Sequence, residues 1–205
     1  GYGDLGCYGQ QQILTPNLDA LAAGGARLTQ HYSGSCVCAP SRYSLMTGLH
    51  AGHMPTNENK ALLPAGIQTL ARVLRGGGYT TAAVGKWAMG DYGNTGLPWQ
   101  QGFDSWYGYL NQGYASNYYP DFMTRHDSVQ YLDRNYEGRI NYGPDLLQGD
   151  AAQIIRTAPV PFFLYHPMTL PHMNNALAAA TGMGMDVPSD APYTDKPWPQ
   201  VEKNF

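Results

Sequence analysis

The sequence predicts an α/β fold in which helices cover both faces of a mostly parallel sheet. Segments with helix start and stop signals alternate along the chain with short apolar runs, an order typical of parallel sheets. In such sheets, ligands bind beyond the carboxyl ends of the strands. Lys86 and His172 both follow a predicted strand and are therefore candidates for a site.

The first predicted helix begins near Thr15. Thr15 is a capping residue, Pro16 suits the first helical position, and Gly24 provides a stop. Residues 26–32, which follow this helix, are predicted to form a strand.

Two more pairs of helix and strand follow. Apolar residues recur at helical spacing over residues 67–74 and are closed by three glycines, and the strand-like run 79–84 comes next. Residues 90–144 are rich in Tyr, Asn and Gly, which predicts loops with short elements. A third helix is predicted over 145–156 and a buried strand over 160–165.

The composition argues against several classes of protein. The chain has 205 residues, of which 43% are hydrophobic and 13% charged, with a net charge of −3. No run of basic residues could neutralise a row of phosphates, so nucleic acid is not expected as a partner. No apolar stretch approaches the roughly twenty residues that a membrane span needs. Three cysteines exclude a dense disulfide scaffold.

The sharpest local signal surrounds Cys38. Pro40 suits the first turn of a helix, so Cys38 is predicted to lie just before a helix N-terminus, where free backbone N–H groups attract anions. Arg42, one turn further on, adds a planar cation suited to sulfate, phosphate or carboxylate oxygens. The residues alone leave two interpretations open, an anion site around a reactive cysteine and a structural cysteine beside a helix cap.

The motif Cys-x-Pro-Ser-Arg at 38–42, followed by Leu-x-Thr-Gly at 45–48, resembles the signature of the type I sulfatases. The resemblance is closest to the arylsulfatase A and N-acetylgalactosamine-6-sulfatase branch. It implies an alkaline phosphatase-like fold, and it identifies 1–205 as a partial sulfatase catalytic domain without its first strand and C-terminal part. The other stretches that resemble the family, in the same order and spacing, are 1–9, 15–19, 78–81, 85–87, 102–104, 161–165 and 171–172.

The resemblance implies hydrolysis of sulfate esters. In the family, a maturing enzyme reads Pro40 and Arg42 and oxidises Cys38 to formylglycine, whose hydrated aldehyde attacks sulfur and then expels sulfate. Arg42 would hold the diol, Lys86 would contact the sulfate, and His172 would contact it and protonate the leaving oxygen. Taken singly, Lys86 could be a solvated charge and His172 a hydrogen-bonded loop histidine.

The family also implies Ca²⁺, bound by formylglycine and sulfate oxygens, which makes position 38 a metal ligand. In the family, a pair of metal-binding aspartates lies just before the run that starts here at Gly1. A metal-binding Asp-Asn pair and a second sulfate-binding lysine come later in the family's sequence than the position of Phe205. We therefore expect little or no activity from this chain alone. Ala88 stands where the family ordinarily has a histidine that contacts the diol.

Two other functions remain open from the sequence. The chain could be a phosphatase or phosphonate hydrolase of the same superfamily, or a homologue that binds sulfated glycans without hydrolysing them. The resemblance implies a sulfated small molecule or glycan as substrate and a secreted or periplasmic location. A soft metal site at Cys36 and Cys38, a cleft role for His50 and His53, and a substrate wall of tyrosines over 107–119 are weaker candidates.

Overall fold

A computed structural model describes residues 1–205 as two compact units, 1–33 and 34–205. The first unit contains helix α1, Pro16–Ala23, which ends before Gly24 as predicted. Thr15 does not cap α1 through its side chain; its hydroxyl instead donates to the Asp19 carboxylate at 3.1 Å and accepts from the Gly6 N–H at 2.9 Å.

The strand predicted over residues 26–32 is wrong. These residues form no strand, and all of them are exposed, so neither face of the segment is buried. The Tyr2 hydroxyl takes the place of a strand partner, because it donates to the Leu28 carbonyl at 2.8 Å and accepts from the His31 N–H at 3.2 Å.

The second unit is built on one five-stranded sheet. Strand β1 lies inside it and pairs in parallel with both β2 and β5, while β2–β3 and β3–β4 are antiparallel. The sheet order is β4-β3-β2-β1-β5, with β1 at Thr80–Lys86, β2 at Ser105–Tyr109, β3 at Phe122–Arg125, β4 at Ser128–Tyr131 and β5 at Phe162–Tyr165.

The predicted α/β class is confirmed, and the sheet is mixed. Its parallel centre is the part that the sequence predicts. At the edge, β3 and β4 are antiparallel because only two residues, 126 and 127, connect them, and so short a connection permits only a hairpin. Strands β2, β3 and β4 all fall within the segment predicted to form loops with short elements.

Helices cover both faces of this sheet, as predicted. Residues of opposite faces alternate along β1, so Ala83 packs with helices α2 and α3 and Val84 packs with α5. The helices of the second unit are α2 at Cys38–Thr47, α3 at Leu70–Gly76, α4 at Arg134–Gly138, α5 at Gly143–Thr157, α6 at Asn175–Thr181 and α7 at Gln200–Asn204. No helix has both the length and the apolar character required to cross a membrane.

Aromatic rings fill the face of the sheet that α2 and α3 cover. Trp87 is fully buried and meets Phe103 edge-on, with ring centroids 5.7 Å apart, and Trp106 at 6.1 Å. Each such pair adds about 0.5–1.5 kcal/mol beyond the burial of apolar area. This packing makes a rigid base beneath the carboxyl end of β1, where Lys86 lies.

Candidate active site

Cys38 is the first residue of α2. Val37 precedes it in an extended conformation, with φ −114° and ψ 148°, and the Ser41 N–H closes the first turn on the Val37 carbonyl at 3.0 Å. The Ala39 N–H is bonded by the side chain of Asn59 at 3.1 Å. Cys38 is half-buried and free, so its thiol lies at the positive end of a ten-residue helix.

Arg42 joins α2 to the ends of two strands. Its Nη1 donates to the main-chain carbonyl of Lys86 at 2.6 Å and to the Tyr165 hydroxyl at 3.2 Å. The Nε of Arg42 is buried and has no hydrogen-bond partner. A buried guanidinium N–H without a partner is costly, so this atom favours an oxygen-bearing ligand or water beside it.

Lys86 is the last residue of β1 and is only 4% exposed. Burial lowers the pKa of its ammonium group; attraction to Cys38 opposes this, the Arg42 guanidinium lowers the pKa further, and a hydrogen bond to Cys38 raises it. The structure therefore brings Cys38, Arg42 and Lys86 together. Two cations and a helix N-terminus around one sulfur form a site for an anion.

A glycine brings the segment after β5 against this site. Gly85 has φ +136°, and a Cβ there would overlap the Pro167 carbonyl oxygen. The Lys86 N–H donates to that same carbonyl at 3.0 Å. The His166 Nδ1 donates to the Val84 carbonyl at 2.7 Å, so the segment that leads to His172 is bonded along β1.

His172 lies beyond this segment and is exposed. Its N–H donates to the Thr169 carbonyl at 3.0 Å, and its Nδ1 donates to the Met173 carbonyl at 2.8 Å. Because Nδ1 is used in this bond, Nε2 is the ring nitrogen left available to a ligand. No hydrogen bond joins His172 to Cys38, Arg42 or Lys86, and its place in the site stays a prediction.

Ala88 is buried at 7% exposure, two residues beyond Lys86. Its φ is +64°, and its N–H donates to the Leu110 carbonyl at 3.1 Å. A methyl group at this position offers no hydrogen bond to a neighbouring ligand.

The residues present do not fit a calcium site. No group of three or more His, Cys, Asp and Glu side chains could hold a metal ion. Ca²⁺ takes six to eight oxygen ligands, whereas the neighbours of Cys38 are two cations, Lys86 and Arg42. The metal-ligand role of Cys38 stays a prediction.

Two of the weaker candidates, the histidine pair and the tyrosine run, have structural explanations. His50 and His53 are exposed with ring centroids 4.3 Å apart, and the His50 Nδ1 accepts from the Gly52 N–H in a local turn. Cys36 is exposed and free. Among the tyrosines over 107–119, Tyr107, Tyr109 and Tyr118 are buried in packing.

Two residues that contact the candidate site were not predicted from the sequence. These are Asn59, which bonds the first turn of α2, and Tyr165, which bonds Arg42. Tyr118 was a candidate only as part of the tyrosine run 107–119, and the bond from its hydroxyl to the His172 carbonyl was not predicted. All three act on partners that are distant along the chain, so no local pattern points to these contacts. The position of Tyr165 at the end of a predicted strand was the one available signal.

Comparison with known proteins identifies close similarity to one family. The family described as Sulfatase matches residues 1–201. Human arylsulfatase A is 45% identical over 116 residues, which cover 53% of this chain and 23% of that protein. Human arylsulfatase D is 40% identical over 126 residues, which cover 53% of this chain and 21% of that protein.

Solved structures of similar fold agree. The structure of BT4656 in complex with its substrate D-glucosamine-2-N,6-O-disulfate has a TM-score of 0.68 and 26% identity, covering 83% of this chain and 32% of that one. The crystal structure of Ps i-CgsB with k-i-k-neocarrahexaose has a TM-score of 0.70 and 28% identity, covering 84% of this chain and 43% of that one. The chain thus spans less than half the length of each of these relatives.

Proposed function

The chain belongs to the sulfatase family, and on that premise we propose that its site hydrolyses sulfate esters, with Cys38 as the residue that a maturing enzyme converts to formylglycine. The observation that carries the proposal is the meeting of Cys38, Arg42 and Lys86 at the start of α2 and the end of β1. The alkaline phosphatase-like fold of the structural relatives supports it.

The cluster suits the binding of a sulfate group. The backbone N–H groups at the start of α2, the Lys86 ammonium and the unpartnered Nε of Arg42 all offer positive charge or donors to its oxygens. Lys86 is buried, so its attraction to a sulfate is weakly screened by solvent. Charge that develops on the transferred group would be stabilised by donors already in place.

The chemistry at position 38 requires the modified residue. Formylglycine supplies a hydrated aldehyde whose two hydroxyls serve for attack and release. Arg42, held by the Lys86 carbonyl and the Tyr165 hydroxyl, would orient that side chain. In its imidazolium form, which carries a proton on each ring nitrogen, His172 would deliver the Nε2 proton to the leaving oxygen while Nδ1 keeps its bond to the Met173 carbonyl.

The family generally uses a divalent cation, and the residues of this chain do not form its site. We therefore expect the chain by itself to have little or no activity. The proposed substrate is a sulfated small molecule or glycan, the chemical class to which the substrate bound by the relative BT4656 belongs. The proposed location is secreted or periplasmic.

Ala88 favours one second candidate, a homologue that binds sulfated glycans without hydrolysing them. The methyl group of Ala88 cannot donate or accept a proton beside the site. The cluster of Cys38, Arg42 and Lys86 would still bind a sulfate group in such a protein.

The test is mass spectrometry of the tryptic peptide 28–42 after expression of the chain with a formylglycine-generating enzyme. This peptide contains both Cys36 and Cys38. The proposal expects an aldehyde at Cys38 and an intact thiol at Cys36, so Cys36 is an internal control. The Cys38→Ser variant should show no aldehyde. Conversion of a known substrate in the same cells while Cys38 stays a thiol would contradict the proposal.

A further inference from the structure

We propose that Tyr118 is the positioning residue for His172, holding the histidine with its Nδ1 protonated and its Nε2 presented to the substrate. This inference rests on the proposed function. It assigns a role to a tyrosine outside the motifs.

Tyr118 is fully buried, and its hydroxyl donates to the main-chain carbonyl of His172, 54 residues further along the chain. A buried hydroxyl needs a partner, and the His172 carbonyl is the one this hydroxyl has. Burial, with a smaller effect of Asp186, raises the pKa of Tyr118 to about 12, so the hydroxyl keeps its proton at neutral pH.

Tyr118 is itself fixed at the start of α5. Its carbonyl accepts from the Gly143 N–H at 2.8 Å, and the Tyr142 ring meets its ring edge-on, with centroids 6.1 Å apart. A Cβ at Gly143 would come within 3.2 Å of the Tyr118 carbonyl, so the two backbones are in close contact. The hydroxyl therefore extends from a rigid base to an exposed loop.

The hydrogen bond acts on the orientation of the imidazole. The His172 carbonyl belongs to the peptide group that leads to Met173, and the Met173 carbonyl, in the next peptide group, accepts from the His172 Nδ1. Holding the first peptide group restricts where this acceptor can lie, and an acceptor beside Nδ1 favours the Nδ1-protonated ring. Without the Tyr118 hydroxyl, the His172 carbonyl loses this donor and its peptide group is less restrained.

A purely structural role makes a different prediction from a positioning role. If Tyr118 only filled the core, removing its hydroxyl would leave the imidazole unchanged, and the neighbouring Tyr142 would matter as much. The substitutions Tyr118→Phe and Tyr142→Phe each remove one hydroxyl and keep the ring, and only the first removes the bond to His172.

The experiment is imidazole nitrogen NMR on the full 205-residue chain, with the His172 signal assigned by its loss in His172→Gln. The wild type and Tyr142→Phe should show the Nδ1-protonated tautomer, and Tyr118→Phe should show a mixture of tautomers. Inorganic sulfate is then titrated, and the midpoint for the His172 shift should weaken about three- to tenfold in Tyr118→Phe, as loss of one hydrogen bond predicts.

A single Nδ1-protonated signal in Tyr118→Phe, or the same change in Tyr142→Phe, overturns the positioning role. If the His172 signal does not respond to sulfate in the wild type, the proposed function fails, and the tautomer comparison still tests Tyr118. Thermal unfolding of each variant establishes that it is folded under the conditions of the measurement.

Discussion

Arg42 donates a hydrogen bond of 2.6 Å to the main-chain carbonyl of Lys86, across 44 residues of sequence. The two cations of the candidate site are therefore linked through the backbone, while their charges repel each other. The same guanidinium bonds the Tyr165 hydroxyl at 3.2 Å. One side chain thus connects α2, β1 and β5 at the point where the proposed sulfate would bind.

Replacing Arg42 tests how much this connection contributes to stability. Arg42→Ala leaves the Lys86 carbonyl without its donor, and we expect the free energy of unfolding in urea to fall by about 1.5–3 kcal/mol, the range for a hydrogen bond to a charged group. Arg156→Ala, at an exposed position of α5, should change it by less than about 0.5 kcal/mol. Equal effects of the two substitutions would contradict the buried link.

Tyr165→Phe removes only the hydroxyl that accepts from Arg42. We expect the free energy of unfolding to fall by about 0.5–1.5 kcal/mol, and sulfate binding to weaken because Arg42 loses one of its two anchors. Tyr131→Phe is the matched control, since the Tyr131 side chain is 67% exposed. Urea unfolding and a sulfate titration measure the two effects, and sulfate affinity equal to wild type would argue against anchoring of Arg42.

The elements that local signals specify were predicted well from the sequence. Helix α5 was expected over 145–156 and spans 143–157, because the helical pattern of this segment is a local feature. Strand β2 was missed because Gly108 interrupts its sequence, and that glycine is explained by a non-local contact: a Cβ there would overlap the Gly85 carbonyl. The strand prediction for residues 26–32 was wrong because the backbone of this segment bonds a tyrosine hydroxyl instead of another strand.

The site residues also divide into those that local signals predict and those that depend on contacts between distant parts of the chain. Cys38 and Arg42 lie on one helix, so motif and spacing predict that they are near each other. The contact of Lys86 with Cys38 depends on the register of β1 beside α2, which no local pattern contains. The catalytic roles of Cys38, Arg42, Lys86 and His172 stay predictions.

Gly85→Ala tests the close approach of the Pro167 segment. A Cβ at this position would overlap the Pro167 carbonyl oxygen, and φ is +136°, so we expect a fall of more than about 2 kcal/mol in the free energy of unfolding. Gly149→Ala is the control, and its effect on the free energy of unfolding should have the opposite sign. Gly149 lies inside α5 with open space around it, so alanine there should stabilise the chain by about 0.5–1 kcal/mol. A neutral Gly85→Ala would contradict the observed contact.

Ala88 is held in a left-handed conformation, with φ +64°. For a residue with a Cβ this costs about 1–2 kcal/mol, so Ala88→Gly should leave the free energy of unfolding unchanged or raise it by up to about 1 kcal/mol. Ala83→Gly is the control, because Ala83 is fully buried and does not have a positive φ. Ala83→Gly should lower the free energy of unfolding because it removes a buried methyl group. Equal destabilisation of the two variants in thermal or urea unfolding would refute strain at Ala88.

Tyrosines whose pKa values are raised by folding should make the protein sensitive to alkaline pH. Burial raises the pKa of Tyr118 to about 12, and burial together with Tyr118, Tyr119 and nearby carboxylates raises the pKa of Tyr142 above its ordinary value of 10.0. Above pH 10 the unfolded chain loses these protons before the folded chain does. Their contribution is therefore complete below pH 10 and is lost as pH rises through the folded pKa, at up to about 1.4 kcal/mol per pH unit for each group.

Lys86 affects the pH dependence of stability in the opposite direction. Burial lowers its pKa below 10.5, so burying the charged ammonium costs folding free energy, and that cost is relieved as pH rises towards 10.5. We therefore expect the free energy of unfolding to fall as pH rises above 10. The slope of this fall is determined by the tyrosines whose pKa values are raised by folding. Urea unfolding between about pH 8 and 11 measures it. Tyr142→Phe should reduce the slope and Tyr131→Phe, at an exposed position, should leave it unchanged. Identical slopes in the wild type and Tyr142→Phe would show that the Tyr142 hydroxyl titrates alike in the folded and unfolded chain.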